Sequence, residues 1–193
     1  LDNEFNQRLA NTPCDNHCKN IIQIYSSFLF RVRPSRDFAS MQDEASLESF
    51  LKDADLEGNN LNSVIKQAQN YASIYGHCFM ILDKPNINTN TQAEELTQNI
   101  RPYLSIVTPE NVLDWNFKRQ PNGKYELNYL KIREEVDRHG GTYMRIWYLD
   151  RIDTIYMEER SEPVLLDSVP NAIGKIPAVI LYNSKSHKRG IGQ

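Results

Sequence analysis

The chain has 193 residues and a formal net charge of −3, with 22 lysines and arginines against 25 aspartates and glutamates. Hydrophobic residues make up 40% of it and charged residues 24%, which is the usual balance of a globular protein with one core. No uninterrupted apolar run approaches the roughly 20 residues of a membrane-spanning helix, so no such helix is expected. The slight acidity excludes a general attraction for nucleic acid, and any such contact must be local.

The first helix is predicted from the capping segment 12–15 to Arg31, with Pro34 beyond its end. Threonine followed by proline and an acid satisfies or avoids the free backbone N–H groups of a helix start. Apolar residues then recur at steps of three and four and form one broad face. That face consists of Cys14, Cys18, Ile21, Ile22, Tyr25, Phe28 and Leu29.

Two more helices are predicted before the first strand. One covers 44–54, where Asp43 supplies the cap and the apolar residues share a narrow face. The other covers 61–75 and ends at Gly76, where a left-handed C-cap favours glycine. The continuous apolar run 78–82 follows directly and is typical of a strand buried on both faces. This helix and strand are expected to pack as one unit.

The second half of the chain has the pattern of strands separated by turns. Residues 86–99 are rich in Asn, Thr and Gln and predict an exposed, mobile excursion with a weak helical tendency at 91–97. One helical turn is predicted at 108–111, and proline and glycine in 120–123 predict a hairpin turn. The predicted strands are 103–107, 113–118, 125–136, 142–149, 152–157 and a last one within 170–183.

These elements predict an α+β fold in which N-terminal helices pack on a largely antiparallel, meander-type β-sheet. Imperfect apolar alternation over 125–132 predicts a bulge or a sheet covered on both faces, and the helices of the first half are candidates for that cover. The predicted organisation is an N-terminal helical arm, 1–56, followed by an α+β domain, 57–193.

Cysteine and histidine residues offer one candidate metal site. Cys14, His17 and Cys18 lie close in sequence, and thiolate and imidazole are preferred ligands of zinc. We favour core thiols and a solvated imidazole, because the two cysteines lie on the apolar helix face and the spacing implies no fourth ligand. His77 and Cys78 are interpreted in the same way. No metal and no cofactor are expected.

A second candidate is a metal-dependent nuclease centre built from Asp114, Glu126 and Lys131 on neighbouring predicted strands. We disfavour it, because strands commonly place acids and lysines outward and no glycine-rich phosphate loop accompanies these residues. The four histidines lie near no recognisable serine or cysteine elbow. No catalytic residue is therefore assigned, and the chain is not expected to be an enzyme.

A basic loop near the end of the chain offers candidates for nucleic-acid contact. Lys185, Lys188 and Arg189 cluster beside glycine, which lets a backbone approach a partner closely. A solvated connector is the preferred interpretation. A stacking platform for single strands is also conceivable on the predicted strands, although half-buried strands usually place aromatic residues in the core. The aromatic residues concerned are Trp115, Tyr143, Trp147, Tyr148 and Tyr156.

The order of several short segments resembles the portal proteins of tailed bacteriophages. Each segment is short, and their common order along most of the chain carries more weight than any one of them. His77 and Cys78 depart from the family, which usually has a small residue, an arginine or a bulky apolar group there. The segments are 27–31 before a proline, 58–61 leading a helix, 75–85, 101–104, 108–115 and 171–179.

The resemblance implies a structural role in the virion. The parent would form a homo-oligomeric ring, usually a dodecamer, at the portal vertex of the capsid, after assembly in the host cytoplasm. The ring would contact the major capsid protein, dock the terminase, pass double-stranded DNA and hold the head-tail adaptor. This chain would be a fragment covering the outward-facing wing, with stem helices expected after Gln193. Lys185, Lys188 and Arg189 are then candidates to face DNA near the stem.

Two other functions stay open from the sequence. One is a metal-dependent nuclease or other enzyme fragment whose active site needs a missing C-terminal part. The other is an adaptor scaffold unrelated to phages. Stabilisation by a divalent metal would indicate the enzyme, whereas ring formation without metal would indicate the portal.

Overall fold

A computed structural model of the chain describes residues 2–11, 17–41, 45–85, 94–95, 98, 100–158 and 161–184. The chain divides into two compact units, Leu1–Pro34 and Ser35–Gln193. The first unit holds helix α1 (Asp2–Asn11) and helix α2 (His17–Leu29). The sequence did not predict α1, because it has too few apolar residues for a clear helical period.

Helix α2 confirms the first predicted helix from its second turn onward. The predicted capping segment, 12–15, lies outside the described residues, and so does Cys14. The helix ends at Leu29, two residues before the predicted Arg31. One expectation for this helix was wrong: Cys18 is an exposed free thiol rather than a core thiol. The reason is that the apolar face predicted for α2 is itself largely exposed.

Two helices belong to the second unit. Helix α3 (Ala45–Lys52) confirms the core of the second predicted helix, whose predicted start at 43–44 lies outside the described residues. Helix α4 (Leu61–Tyr75) has the predicted bounds. The side chain of Asn60 caps its start by accepting a hydrogen bond from the Ser63 N–H at 3.1 Å. Gly76 ends it with a φ of 85°, the left-handed region that favours glycine.

The boundary between arm and domain lies earlier than predicted. Phe50, Leu51 and Ala54 pack against Leu61 and Val64, so the region of α3 belongs with α4. Residues 35–56 are therefore part of the second unit rather than of a separate arm, because their apolar side chains complete its core.

The structure describes eight strands, which form two antiparallel sheets. A small sheet has the order β2-β1-β8, and a large sheet is the meander β3-β4-β5-β6-β7. The strands are β1 (His77–Asp83), β2 (Tyr103–Val107), β3 (Val112–Arg119), β4 (Tyr125–Val136), β5 (Thr142–Tyr148), β6 (Arg151–Met157), β7 (Val164–Pro170) and β8 (Ala178–Tyr182). The predicted α+β class and antiparallel meander are confirmed.

Local signals placed most of these strands correctly. Gly123 in the turn between β3 and β4 has a φ of 81°, and its N–H bonds to the Gln120 carbonyl at 2.9 Å. The register shift in the β3–β4 pair opposite Leu127 and Tyr129 confirms the bulge predicted within 125–132, and the β4–β5 pair has another shift between Arg133 and Glu135. Strand β7 was not predicted, because its short apolar run is followed by Asp167 and Ser168 and ends at a proline, which weakens the pattern of a strand. The predicted excursion at 86–99 lies almost entirely outside the described residues.

Strand β1 lies in the middle layer of a three-layer second unit. Its Phe79 and Ile81 face the large sheet, and its Cys78 and Met80 face α4. This explains why the sequence of β1 is apolar without alternation. The small sheet thus covers the inner face of the large sheet, whereas the sequence favoured the helices for that cover. The helices cover the other face of the small sheet.

Candidate functional site

An ionic cluster joins the end of β1 to the large sheet. Arg145 on β5 donates from Nη1 to Asp83 Oδ2 and from Nε to Glu134 Oε1, the latter at 2.9 Å. The hydroxyl of Tyr103 donates to Asp83 Oδ2 at 3.4 Å. The guanidinium carbon also lies 5.4 Å from the ring centroid of Trp147. One arginine therefore forms ion pairs with two carboxylates that come from different sheets.

Partial burial shifts the proton affinities of this cluster. Burial raises the pKa of the Glu134 carboxyl, the positive charge of Arg145 opposes that rise, and the Asp83 carboxylate adds to it. Burial also raises the pKa of the Tyr103 phenol, and the Asp83 carboxylate raises it further. Both groups therefore hold their protons more tightly in the folded protein than they would in water.

A cavity of about 240 Å³ borders the cluster. At its rim, Arg133 donates from Nη2 to the Glu110 carbonyl at 2.8 Å and from Nε to Asn111 Oδ1 at 3.3 Å. The charged side chains at this cavity are thus engaged with one another or with the backbone. The cluster therefore has a structural role and links the two sheets, since no nucleophile is placed against a base in it.

Removing the positive charge from this cluster should destabilise the fold. In the variant Arg145→Met, two partly buried carboxylates lose their common counter-ion, and we expect the free energy of unfolding to fall by about 2 to 3 kcal/mol at pH 7. The loss should shrink toward pH 5, because protonation of Glu134 relieves the repulsion. Urea unfolding at both pH values measures this. Arg119→Met is the control, since exposed Arg119 has no ion pair among the described residues. An equal loss of stability in both variants would contradict the claim that Arg145 links the two sheets.

The turn between β4 and β5 holds a second polar contact. The Tyr156 hydroxyl donates to Asp137 Oδ2 at 2.7 Å, while Asp137 Oδ1 accepts from the N–H groups of His139 and Gly141, both at 2.8 Å. The hydrogen bond from Tyr156 is the main cause that lowers the pKa of Asp137. The same bond raises the pKa of Tyr156 to about 12.

The Tyr156 phenol should therefore titrate unusually late. Because its pKa is higher in the folded than in the unfolded chain, the bond adds stability that is complete below pH 10 and is lost as the pH rises toward 12. The lowered pKa of Asp137 adds stability that is lost as the pH falls below about 4. NMR titration of the tyrosine rings measures the first effect. In Asp137→Asn the Tyr156 transition should move back toward 10, and an unchanged transition would contradict the assigned cause.

The three residues of the candidate nuclease centre are not brought together. Asp114 lies opposite Lys131 across the β3–β4 pair, but Glu126 lies opposite Lys118. Glu126 and Lys131 are five residues apart along β4, which corresponds to roughly 17 Å. Asp114 and Glu126 therefore cannot share one metal ion in this arrangement.

The candidate metal ligands do not form a cluster in the described part of the chain. His17 and Cys18 are exposed on α2, and no group of three His, Cys, Asp or Glu side chains among the described residues is placed to hold a metal ion. Cys78 is buried as predicted, and its Sγ donates to the Ala68 carbonyl at 3.2 Å. Burial raises the pKa of this thiol, which keeps it protonated.

The aromatic residues considered as a stacking platform do not lie on one surface. Trp147 is 2% exposed within the core, and Trp115 packs against the same core. The rings of Tyr143 and Tyr156 contact each other at 4.8 Å. The ring of Tyr148 instead contacts that of Tyr129 at a tilt of 58° and a centroid distance of 5.5 Å, and the guanidinium of Arg151 lies 4.2 Å from the Tyr148 ring centroid. Core packing, the preferred interpretation, accounts for the two tryptophans.

The basic loop with Lys185, Lys188 and Arg189 lies outside the described residues. Its contact with nucleic acid stays a prediction from the sequence. The ionic cluster, by contrast, was missed from the sequence: Asp83 and Arg145 are 62 residues apart, and neither has a neighbouring motif. The end of the apolar run at Asp83 was visible, but nothing local identified its partner.

Helix α2 presents an exposed apolar face within the first unit. Five large apolar side chains of this helix are between 52% and 72% exposed, and they are Ile21, Ile24, Tyr25, Phe28 and Leu29. A cavity of about 840 Å³ opens along the helix beside Ile24 and Phe28. Contiguous apolar surface of this kind is typical of a site that binds another protein surface.

A second apolar surface lies on strand β7 at the edge of the large sheet. Val164, Leu165 and Leu166 are each more than half exposed. The backbone of this edge is partly closed to strand addition, because Pro170 has no N–H and the Ser168 N–H is bonded to Asp167 Oδ1 at 2.8 Å. The surface thus offers side-chain contact more than backbone pairing.

No model of a known protein family matches the chain, and no curated protein matches it either. In the described part of the chain, no helix is both long and apolar enough to cross a membrane. The surfaces described above are therefore the basis on which a function can be proposed.

Proposed function

We propose that this chain is a structural subunit region of a bacteriophage portal ring, and that it acts through assembly and not through catalysis. The observation that carries the proposal is the exposed apolar face of α2, with side chains that are more than half exposed. A folded chain gains stability by covering such a face, and repeated copies of one chain can do this in a closed ring.

Two further observations support the proposal. The segments that resemble portal proteins include the start of α4, all of β1 and the turn before β3. The charged side chains of the ionic cluster form ion pairs with one another and join the two sheets.

In this proposal the ring sits at the portal vertex of the virion. It contacts the major capsid protein, the terminase and the head-tail adaptor, and double-stranded DNA passes through its channel. The net charge of −3 suits such a conduit, because extensive neutralisation of phosphates would hold DNA and not let it pass. The proposal does not depend on whether Lys185, Lys188 and Arg189 face the DNA.

Sedimentation velocity of the complete gene product that contains this chain tests the proposal. We expect a large closed oligomer that forms with rising protein concentration in EDTA and is unchanged by magnesium or manganese. A monomer that these metals stabilise, and that loses the effect in Asp114→Asn or Glu126→Gln, would favour the nuclease instead. We carry the nuclease no further, since the β3–β4 register separates its two carboxylates.

A further inference from the structure

A groove of about 540 Å³ lies between helix α4 and strand β2 in the second unit. One wall is the stripe of α4 that includes Val64, Gln67 and Tyr71, and the other wall is the β2 segment 104–106. Strand β2 is an edge strand, since it pairs with β1 on one side only in the described sheet. The groove thus runs along a sheet edge with a helix beside it.

The backbone of β2 is open toward this groove at Ile106. The Leu104 N–H donates to the Ala54 carbonyl at 2.7 Å, so it points away from β1. Successive residues of a strand point their N–H and C=O groups to opposite sides, so those of Ile106 point the same way as those of Leu104. No described residue bonds to these groups of Ile106. Such an edge is a template for an added strand.

The groove carries negative charge. Three acids line it, Asp55, Glu57 and Glu110, and no lysine or arginine does so among the described residues. Glu110 accepts a hydrogen bond from the Tyr75 hydroxyl at 3.2 Å, while Glu57 is exposed. The tyrosine rings of the α4 stripe offer further attraction for a cation. The groove is therefore complementary to an extended segment with lysine and arginine side chains.

We propose that this groove binds the basic segment 185–190 of a second copy of the chain, which lies extended along β2 and pairs with the open backbone groups of Ile106. The inference deepens the proposed ring and rests on it. The segment contains Lys185, Lys188 and Arg189 and no acid. Glycine at its end permits a close approach of the two backbones.

The start of the segment favours a neighbouring copy over the chain's own groove. Asn183 precedes the segment, and its N–H bonds to the Gly76 carbonyl while Ser73 donates to its side chain, both at 3.0 Å. It follows β8, which lies on the opposite edge of the small sheet from β2. A contact in which the segment of one copy enters the groove of the next is heterologous, and a heterologous contact generates a ring where its rotation closes.

A peptide with the sequence of residues 183–193 tests this inference directly. It is titrated into the ¹⁵N-labelled chain in which Lys185, Lys188 and Arg189 are replaced by glutamine, so that the chain offers no basic segment of its own. We expect saturable shifts of the amide signals of residues 104–107. The same peptide with glutamine at the three basic positions should not bind.

Charge reversal at the groove provides the specific control. Glu57→Lys should weaken binding of the peptide about five-fold, because an exposed attraction becomes a repulsion. Glu135→Lys makes the same change of charge on the exposed end of β4, outside the groove, and should leave the affinity unchanged. Equal weakening in both variants would overturn the inference, since it would show general attraction to an acidic chain.

Two other results would also overturn it. One is that the peptide leaves the amide signals of residues 104–107 unchanged even at low salt. The other is that the peptide binds duplex DNA but leaves these signals unchanged. If the complete gene product forms rings but the peptide does not bind, the proposed function is supported and this inference is wrong. If the peptide binds specifically but the complete gene product forms no rings, peptide binding in the groove is supported and the proposed portal ring is wrong.

Discussion

Truncation of Phe79 to alanine is expected to lower the free energy of unfolding by about 3 to 5 kcal/mol. Phe79 lies on β1 with an exposed fraction of 0%, and its ring contacts the ring of Trp115 at a centroid distance of 5.7 Å. It is the largest fully buried side chain that the small sheet contributes to the core between the sheets. Its removal leaves a cavity that rigid neighbouring strands cannot close. Urea unfolding measures the change.

The control for this variant is Val179→Ala on β8 of the same sheet. Val179 is 67% exposed, so its truncation should cost less than about 0.5 kcal/mol. A loss below about 1 kcal/mol in Phe79→Ala would contradict a core between two stacked sheets. It would instead indicate that the two sheets are separate and that β1 is covered by α4 alone.

Replacement of Phe28 by glutamate is expected to abolish ring formation by the complete gene product. Phe28 lies in the exposed apolar face of α2 with an exposed fraction of 69%, so the change should leave the folded chain unaffected. Burial of a phenylalanine side chain contributes about 1.5 to 3 kcal/mol, and a glutamate there adds a desolvation cost. At about 3 kcal/mol for each contact, each association constant falls roughly 100-fold. Mass photometry measures the fraction of rings.

Gln23→Glu adds the same charge to α2 without removing an apolar contact. Gln23 lines the same cavity as Phe28, so this control separates loss of the apolar ring from the added charge. Rings should persist in this control, and both variants should keep the parent's melting temperature. Rings that form normally in Phe28→Glu would show that the exposed face of α2 is not a subunit contact.

The parts of the fold that were predicted from the sequence have local causes. A glycine that needs a positive φ marks the end of α4, and another marks the turn between β3 and β4, at Gly76 and Gly123. Helical periodicity gave α4 its correct bounds because its buried residues, Leu61, Val64, Ala68 and Ala72, recur at steps of three and four. Short turns then predict an antiparallel meander without further information.

The parts that were missed depend on contacts distant in sequence. Strand β8 pairs with β1 about one hundred residues earlier, with Leu181 opposite Cys78, and no local pattern specifies that pairing. This pairing completes the small sheet, which covers the inner face of the large sheet. The apolar face of α2 was predicted, but periodicity alone does not say whether such a face is buried within its own chain or exposed for a partner.

The candidate site shows the same division. The apolar character of α2 and the charge of segment 185–190 are visible in the sequence. The cluster of Asp83, Glu134 and Arg145 is not, because three strands bring it together. The acidic groove was also invisible, since its acids come from the loop before α4 and the turn before β3.

Negative-stain electron microscopy of the complete gene product tests the central claim most directly. We predict rings with a central channel, formed without added metal and lost in Phe28→Glu. Monomers or small dimers across a range of salt and protein concentrations would contradict the portal function and return attention to an enzyme or adaptor.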